Sequence, residues 1–386
     1  MKSKVAVVVI ASVFLVMFAE VSLVRAELWI NPLFESCPAA AMGGQGGFVR
    51  LSDGSLMIVE VEGSATRTSK DNGKTWSEPQ PMIFEGKDPG SPQKGPMLKT
   101  PDGVIVMVYH DASTFHWEWD DSKGEAINPR FDVWAIRSLD DGKTWVDRQL
   151  IFQGYSSAFE DIIQTKSGQI VVPVQQLIPD PAVHHGTSTY VSADNGKTWR
   201  KSNLIDMGGV GAHDGVLEAT LVELKDGRLY MLMRTSWERL WEAYSWDKGY
   251  SWRQVGPSNI PGGSSSACLT RLASGRIALV WTSPLPGGEA RPLAEVLSTP
   301  PPLKANEYFY ITPNPSLGVR QVSIMFSEDE TKTWTKPIVV GRESKENAGL
   351  RNVYVFEPEP GLLWIMSGGS HSSIEVSGRE ADLVEK

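Results

Sequence analysis

The sequence predicts an all-β chain folded as a six-bladed β-propeller. Three observations carry that expectation: one turn motif repeated five times, a different hairpin repeated six times, and a composition rich in turn formers. The 386 residues include 36 Gly and 25 Pro, which suits many short connections better than long helices. Tryptophan, at 14 residues, exceeds what one core needs, so part of it belongs to a repeated local structure. Hydrophobic residues at 41% and charged residues at 22% are ordinary for a globular chain and exclude a mostly disordered one.

Taken in chain order, the first element is a targeting signal. Met1-Lys2-Ser3-Lys4 is basic, Val5 to Phe18 is almost unbroken apolar sequence, and Val24-Arg25-Ala26 offers the small residues at which a leader is cut. The apolar run falls short of the roughly 20 residues a permanent spanning helix needs. Residues 1–26 are therefore expected to be a signal peptide and 27–386 a single propeller domain, secreted or periplasmic, with no stable membrane insertion. The formal charge of -9 argues against nucleic acid as a partner. A local arginine cluster can still hold an acidic sugar, because near charges outweigh the global field. Cys37 and Cys268 are the only cysteines; pairing in an oxidising compartment and a buried free thiol at Cys268 both remain open. No Cys/His spacing resembles a zinc site, and neither metal nor cofactor is expected.

The five-fold motif reads Ser-x-Asp-x-Gly-x-Thr-Trp. It stands at Ser69–Trp76, Ser138–Trp145 and Ser192–Trp199, with looser copies at Ser245–Trp252, where Ser251 replaces Thr, and Ser327–Trp334, where Thr331 replaces Gly. Each follows an alternating, strand-like run. The residue types are those of a hairpin turn: Asp accepts backbone N–H bonds, Gly takes a positive φ, and Trp folds back over the hairpin. The six-fold element is apolar strand, Asp/Ser-Gly, apolar strand, with its glycines at Gly54, Gly103, Gly168, Gly227, Gly275 and, degenerately, Gly361. Six inner hairpins, most followed by an outer Trp-turn hairpin, make six four-stranded units. Their spacing is unequal, so blades carry loops of different length. The longest holds Ser298–Leu303, Tyr308 and Tyr310.

The Ser-x-Asp-x-Gly-x-Thr-Trp turn is the Asp-box, and its repetition over residues 27–386 resembles the sialidase (neuraminidase) superfamily. The resemblance makes the Asp-box residues structural and places the ligand where the innermost strands converge. It implies that Glu218, in Gly211–Thr220, is the base activating a tyrosine nucleophile and that Arg234, one hairpin later, clamps a substrate carboxylate. The physics agrees, since a glutamate opening a buried strand needs a partner and a guanidinium suits a carboxylate. Arg320 precedes a strand and the fifth Asp-box, where another clamp arginine is implied. Arg351, Asn352 and Tyr354 open the sixth inner strand; Tyr354 is the nucleophile candidate, although the register places Asn352 more naturally at that point. His213 and Asp214 lie just above Glu218, and a histidine there suits acid–base work. Asp161, beside Glu160, opens the third inner strand as a binding candidate.

The first blade departs from the pattern. Where an arginine is implied, the chain has Gly43-Gly44-Gln45-Gly46-Gly47, leaving Gln45 as the binding candidate, and Arg50 lies too close to the hairpin to serve. Glu60 and Glu62 are the only carboxylates near the implied acid/base aspartate. The expected substrate is a glycan or acidic oligosaccharide, with three readings open. The first is a retaining exo-glycosidase on a sialic-acid-like sugar, one of the enzymes that use a nucleophile other than Asp or Glu. The second is a hydrolase or lyase for uronate- or rhamnose-containing polysaccharide that uses His213 and Glu218. The third is a non-catalytic glycan-binding propeller, since fold alone does not fix function. His184-His185 read as solvated rim, and His110-Asp111 with His116, Trp117 and Trp119 as an insertion packed on the propeller.

Overall fold

A computed structural model describes residues 28–37, 47–60, 64–86, 88–120, 122–158, 161–180, 182–262, 265–284, 290–298, 321–343, 349–369 and 373–384. The expected signal peptide, Gln45, Glu62, Glu160, Tyr308, Tyr310 and Arg320 lie outside them. The fold is the predicted six-bladed β-propeller. Blade 1 runs Val49–Arg50, Leu56–Val59, Ala65–Ser69 and Gln80–Pro81; blade 3 runs Ile163–Gln164, Ile170–Ile178, His184–Ser192 and Arg200–Lys201; blade 4 runs Leu217–Glu223, Leu229–Arg234, Arg239–Ser245 and Arg253–Pro261. Blade 2 (Met97–Lys99, Ile105–His110, Val133–Ser138, Thr144–Phe152) gains the short parallel strand Ile83–Phe84 at its edge. The second strands are Val/Ile/Leu/Met-rich and buried on both faces, as a strand in the middle of a blade with blades on either side must be.

Blades 5 and 6 are completed by the other end of the chain. Leu28–Ile30 adds a fifth strand outside Ile338–Glu343 in blade 5, and Glu35–Ser36 is the outermost strand of blade 6, against Ile374–Arg379. The last blade thus takes only three strands (Leu350–Glu359, Leu362–Gly369, Ile374–Arg379) from the C-terminal sequence. The core is correspondingly divided into six apolar clusters, each between two neighbouring blades, with Phe48, Leu56, Ile58, Trp364 and Met366 sealing blade 6 to blade 1. Cys37 and Cys268 are buried thiols in different clusters, those between blades 6 and 1 and between blades 5 and 6.

All five Asp-boxes form the expected turn. In the first, Thr75 donates its N–H (2.8 Å) and its hydroxyl (2.6 Å) to the Asp71 carboxylate, while Ser69 receives the Gly73 N–H at 2.7 Å. The degenerate copies keep these bonds: Ser251 donates its hydroxyl to Asp247 at 2.7 Å, and Thr331 occupies the glycine position at a φ of 71°. The boxes also join blades. A Cβ on Gly142 would stand 2.6 Å from Met57 Sδ of blade 1, so glycine there lets the second blade's box lie directly on its neighbour. The residue before each box glycine is left-handed (Asn72, Asp141, Asn195, Lys248, Glu330), and four of the five reach the previous blade's inner hairpin. Asp141 accepts the Ser52 N–H at 3.1 Å, Asn195 donates to Asp102 at 3.1 Å, Glu330 accepts the Lys225 N–H at 2.7 Å, and Asn72 donates to Glu359 at 3.3 Å.

Candidate functional site

In this topology the inner hairpins and Asp-boxes share one face of the disc. The opposite face carries the connections between blades and the loops between second and third strands. Around that mouth stand the leading ends of the inner strands and the trailing ends of the second strands. Glu218 is at the leading end of blade 4's inner strand and Arg234 at the trailing end of its second. Leu217 pairs with Arg234 and Thr220 with Leu232, so Glu218 and Ala219 oppose a single residue in a β-bulge, and Glu218 has a φ of 40°. A bulge re-aims a side chain; here it turns the Glu218 carboxylate onto the Arg234 guanidinium, which donates to Oε1. The two side chains are only 13% and 10% exposed. Gln175 of blade 3 accepts the Glu218 N–H at 3.0 Å. Among the described residues nothing hydrogen-bonds to the buried second oxygen, Oε2. An unsatisfied buried carboxylate oxygen costs about 1–3 kcal/mol or more, which marks a place where a ligand or water donor belongs.

Beside this pair, the buried His185 meets the Ala212 carbonyl through Nε2 at 2.9 Å. Burial pushes its pKa down to about 3, with the nearby His213 and Arg234 acting in the same direction, so His185 is a neutral ring. His213 is half-buried and its carbonyl accepts the Ser236 hydroxyl at 3.1 Å. The Asp214 carboxylate, in contrast, turns into its own loop, accepting N–H bonds from Val210 (2.9 Å) and Gly215 (2.8 Å). Burial raises its pKa. Of that dyad, His213 keeps exposure toward the mouth while Asp214 holds the loop.

Asp161 ties blade 3 to blade 4. Its carboxylate accepts the Thr220 hydroxyl at 2.8 Å and the N–H groups of Leu221 and Ile162 at 2.9 and 2.8 Å. Thr220 in turn accepts the Leu269 N–H of blade 5 at 2.9 Å, so a belt of bonds crosses three inner strands. Desolvation nevertheless lifts the Asp161 pKa to about 6. Tyr354, mid-strand in blade 6, packs against the apolar clusters on both sides of that blade. Burial, then the neighbouring Cys268 and Asp161, raise its hydroxyl above the ordinary phenol range. The carboxyl group in its electrostatic neighbourhood is thus Asp161, across the channel, while Glu218 is engaged with Arg234. Arg351 and Asn352 are exposed at the blade 6 mouth. Asn352, with a φ of 57°, is the extra residue of a second bulge, which places it in blade 6 as Glu218 is placed in blade 4.

Sequence reasoning missed Gln175 and His185. The signal for Gln175 is a polar residue ending the apolar run Ile170–Val174; His184 and His185, expected at the solvated rim, are both buried at the start of a blade 3 strand. His184 reaches the more exposed Asp206 at 2.9 Å. His110 stacks on Phe131 at 4.2 Å, and burial takes its pKa down to about 3. Trp117 packs on Tyr155 and Trp119. Arg50 bonds to Pro358 and Asn72, on the face opposite the mouth. No group of three or more metal-ligating residues occurs among the described residues, and no helix among them is long and apolar enough to cross a membrane.

Six blades with five Asp-box turns define a propeller of the Asp-box repeat class. The profile described as BNR repeat-like domain matches residues 59–349, and the chain belongs to that family. No curated protein matches the chain significantly. Among solved structures, a protein of unknown function from Dyadobacter fermentans is similar over 92% of this chain and 98% of its own (TM-score 0.56, 15% identity). A Hadza microbial sialidase is similar over 87% of this chain (TM-score 0.56, 16% identity), and the chain spans 65% of that protein's length. The α-L-arabinanase of Penicillium chrysogenum, solved with arabinobiose, covers 91% of this chain and 98% of its own (TM-score 0.53, 14% identity). At these identities the likeness is one of fold.

Proposed function

We propose that the protein is an exported glycoside hydrolase that removes a terminal acidic sugar from glycans, a sialic-acid-like residue being the first candidate. The observation that carries this reading is the Glu218–Arg234 pair, held by a bulge at the mouth with one carboxylate oxygen lacking a donor. Arg234 binds the sugar's carboxylate, displacing or sharing Glu218, and Glu218 then acts as base for the attacking group. Tyr354 is the nucleophile candidate for a retaining course, since a neutral phenol is not repelled by an anomeric carboxylate as Asp or Glu would be. Arg351, exposed at the same mouth, is a further binding candidate; Arg320 and Gln45 are candidates on their sequence positions alone. The leader-like residues 1–26 support export to a secreted or periplasmic location.

A second reading has its own support. His213 and Arg234 both act on the neutral His185, and Asp161 rather than Glu218 is the carboxyl group that acts on Tyr354, which suits acid–base chemistry on a uronate- or rhamnose-containing polysaccharide. The deciding experiment is release of fluorophore from an aryl sialoside by residues 27–386, beside Glu218→Gln. Turnover lost in the variant supports the sialidase reading. A folded wild-type protein without turnover removes it, and the assay then passes to acidic plant and algal polysaccharides with His213→Ala as the variant.

A further inference from the structure

The second position of the Asp-box points to solvent in all five copies, so packing does not choose its residue. Lys70, Leu139, Ala193 and Glu328 fill it in four of the boxes, and all are exposed. The blade 4 box places a tryptophan there, Trp246, which is 50% exposed. An indole in water is costly, and this one does not stand singly. Tyr230 pairs with Tyr244 and Leu229 with Ser245, so Arg228 falls opposite Trp246 where the two strands end. Alternation turns Arg228, Tyr230, Tyr244 and Trp246 to one side of the blade. The Tyr244 and Trp246 rings are 6.1 Å apart, and the Arg228 guanidinium lies 5.3 and 5.7 Å from their centroids. Tyr230 backs the row as a buried, fixed ring, 5.2 Å from Tyr244 and donating its hydroxyl to Glu242 at 2.9 Å.

Arg228 is oriented through Nε, which donates to Asp226 at 2.8 Å, and that leaves its terminal amino groups directed outward. The Asp226 side chain is itself 53% exposed. A flat aromatic face, a planar donor and a carboxylate acceptor thus converge at the seam of blades 4 and 5, on the face opposite the mouth. We infer that Tyr244, Trp246, Arg228 and Asp226 form a second carbohydrate site, which takes a neutral pyranose within a glycan chain. The C–H face of a sugar ring stacks on the negative face of an indole. Ring hydroxyls both donate and accept, which matches Asp226 and Arg228. Asp226 meets the charge of Arg228, so hydrogen bonding rather than charge selects the sugar. Exposed aromatic surface rimmed by polar groups is the form that a surface binding site takes. A chain held here leaves the mouth open, so the site anchors the protein to a glycan without competing for the sugar at Glu218. It goes beyond the reading of the mouth and does not depend on it.

Affinity electrophoresis through gels containing soluble xylan, arabinan, galactan, galactomannan or polygalacturonate reads the binding as retardation and requires no turnover. The proteins compared are the wild type, Trp246→Ala, Trp246→Lys, Leu139→Ala and Glu218→Gln. Trp246→Lys installs the residue of the first box and serves if alanine does not fold, as judged by thermal melting. The expected result is that at least one neutral polysaccharide retards the wild type, Leu139→Ala and Glu218→Gln alike. Its dissociation constant rises at least ten-fold in the Trp246 variants. Retardation by no neutral polysaccharide overturns the inference, and so does retardation that the folded Trp246 variants keep. Loss in Glu218→Gln rather than in the Trp246 variants assigns the binding to the mouth and overturns it as well. Stronger Trp246-dependent retardation by polygalacturonate overturns the neutral class. A wild type that sediments as a dimer and becomes monomeric on Trp246→Ala shows a self-contact, which also overturns the site.

Discussion

The side-chain amide of Asn72 donates to the Glu359 carboxylate at 3.3 Å, joining residues 287 positions apart. It is the last of the box-to-hairpin ties and the one that closes the ring, because blade 1 follows blade 6 only in space. Two other contacts work at the same seam: Glu35–Ser36 completes blade 6, and Arg50 reaches the Pro358 carbonyl. A propeller opened at this seam would expose the Phe48, Phe356 and Trp364 contacts to water.

Substitutions at Asn72 separate the tie from the turn. Its φ of 55° is open to glycine and costly for alanine. Asn72→Gly should lose the bond to Glu359 and the exposed bond from Arg50, about 1 kcal/mol for each at most. Asn72→Ala should lose the same bonds and strain the turn, by about a further 1 kcal/mol. Denaturant unfolding should therefore rank wild type, then Gly, then Ala, the reverse of the usual preference for Ala over Gly. Equal stability of the two variants would show that the left-handed turn carries no weight.

Asp161 gives a pH signature. Its folded-state pKa of about 6 lies above that of the unfolded chain. Between these values the native state binds more protons than the unfolded state, so this group's contribution to stability falls as pH rises from about 4 to about 6. The change amounts to on the order of 2 kcal/mol. Asp161→Asn removes the titration. The free-energy difference, wild type minus variant, should be more favourable to the wild type at pH 4 than at pH 7, read from urea unfolding at both. A pH-independent difference would mean that the three donors to Asp161 hold it near the ordinary carboxylate range.

The fold was legible because its signals are local. Ser69, Asp71, Gly73 and Thr75 make their turn within a few residues, and even Ser251 and Thr331 could be recognised, since a hydroxyl can replace a hydroxyl and the left-handed position tolerates an occasional substitute. Leu28–Ile30 and Glu35–Ser36 were not legible as strands of blades 5 and 6, because what makes them strands is edge pairing with residues about three hundred positions away. The site was half legible. The nearness of Glu218 and Arg234 follows from one hairpin, but Gln175 and His185 come from another blade. The bulge that aims Glu218 leaves no mark in residue type. Nor could alternation show that Asp214 would turn into its own loop.

Tyr354 distinguishes a nucleophile from a wall. The hydroxyl sits near Asp161 and Cys268, and removing it deletes one oxygen without opening the Tyr354 packing against Leu350, Val353 and Trp364 in the flanking clusters. Tyr354→Phe should leave the melting temperature within about 1 °C, which in a chain of this size corresponds to about 1 kcal/mol. On the proposed mechanism it should lower kcat by at least 10³-fold, since nucleophile removal leaves only binding and electrostatic terms. Unchanged turnover would make Tyr354 part of the channel wall and shift the search to the second reading.

The Glu218–Arg234 pair can be tested for purpose through the conflict between stability and activity. Removing one partner alone leaves a charge buried without compensation, which costs about 3–5 kcal/mol. Arg234→Leu should therefore destabilise strongly. The double replacement Glu218→Leu with Arg234→Leu removes both charges and the undonated Oε2 together, and apolar pairs of similar volume often match or exceed a buried ion pair in stability. A structural pair would be expected to lose stability in the double variant as well. A pair kept for chemistry should give a double variant at least as stable as the wild type but without turnover or acidic-sugar binding. Thermal melts and sugar titrations of the two variants beside the wild type decide between these, and a double variant as unstable as Arg234→Leu would place the pair among the supports of the mouth rather than its working parts.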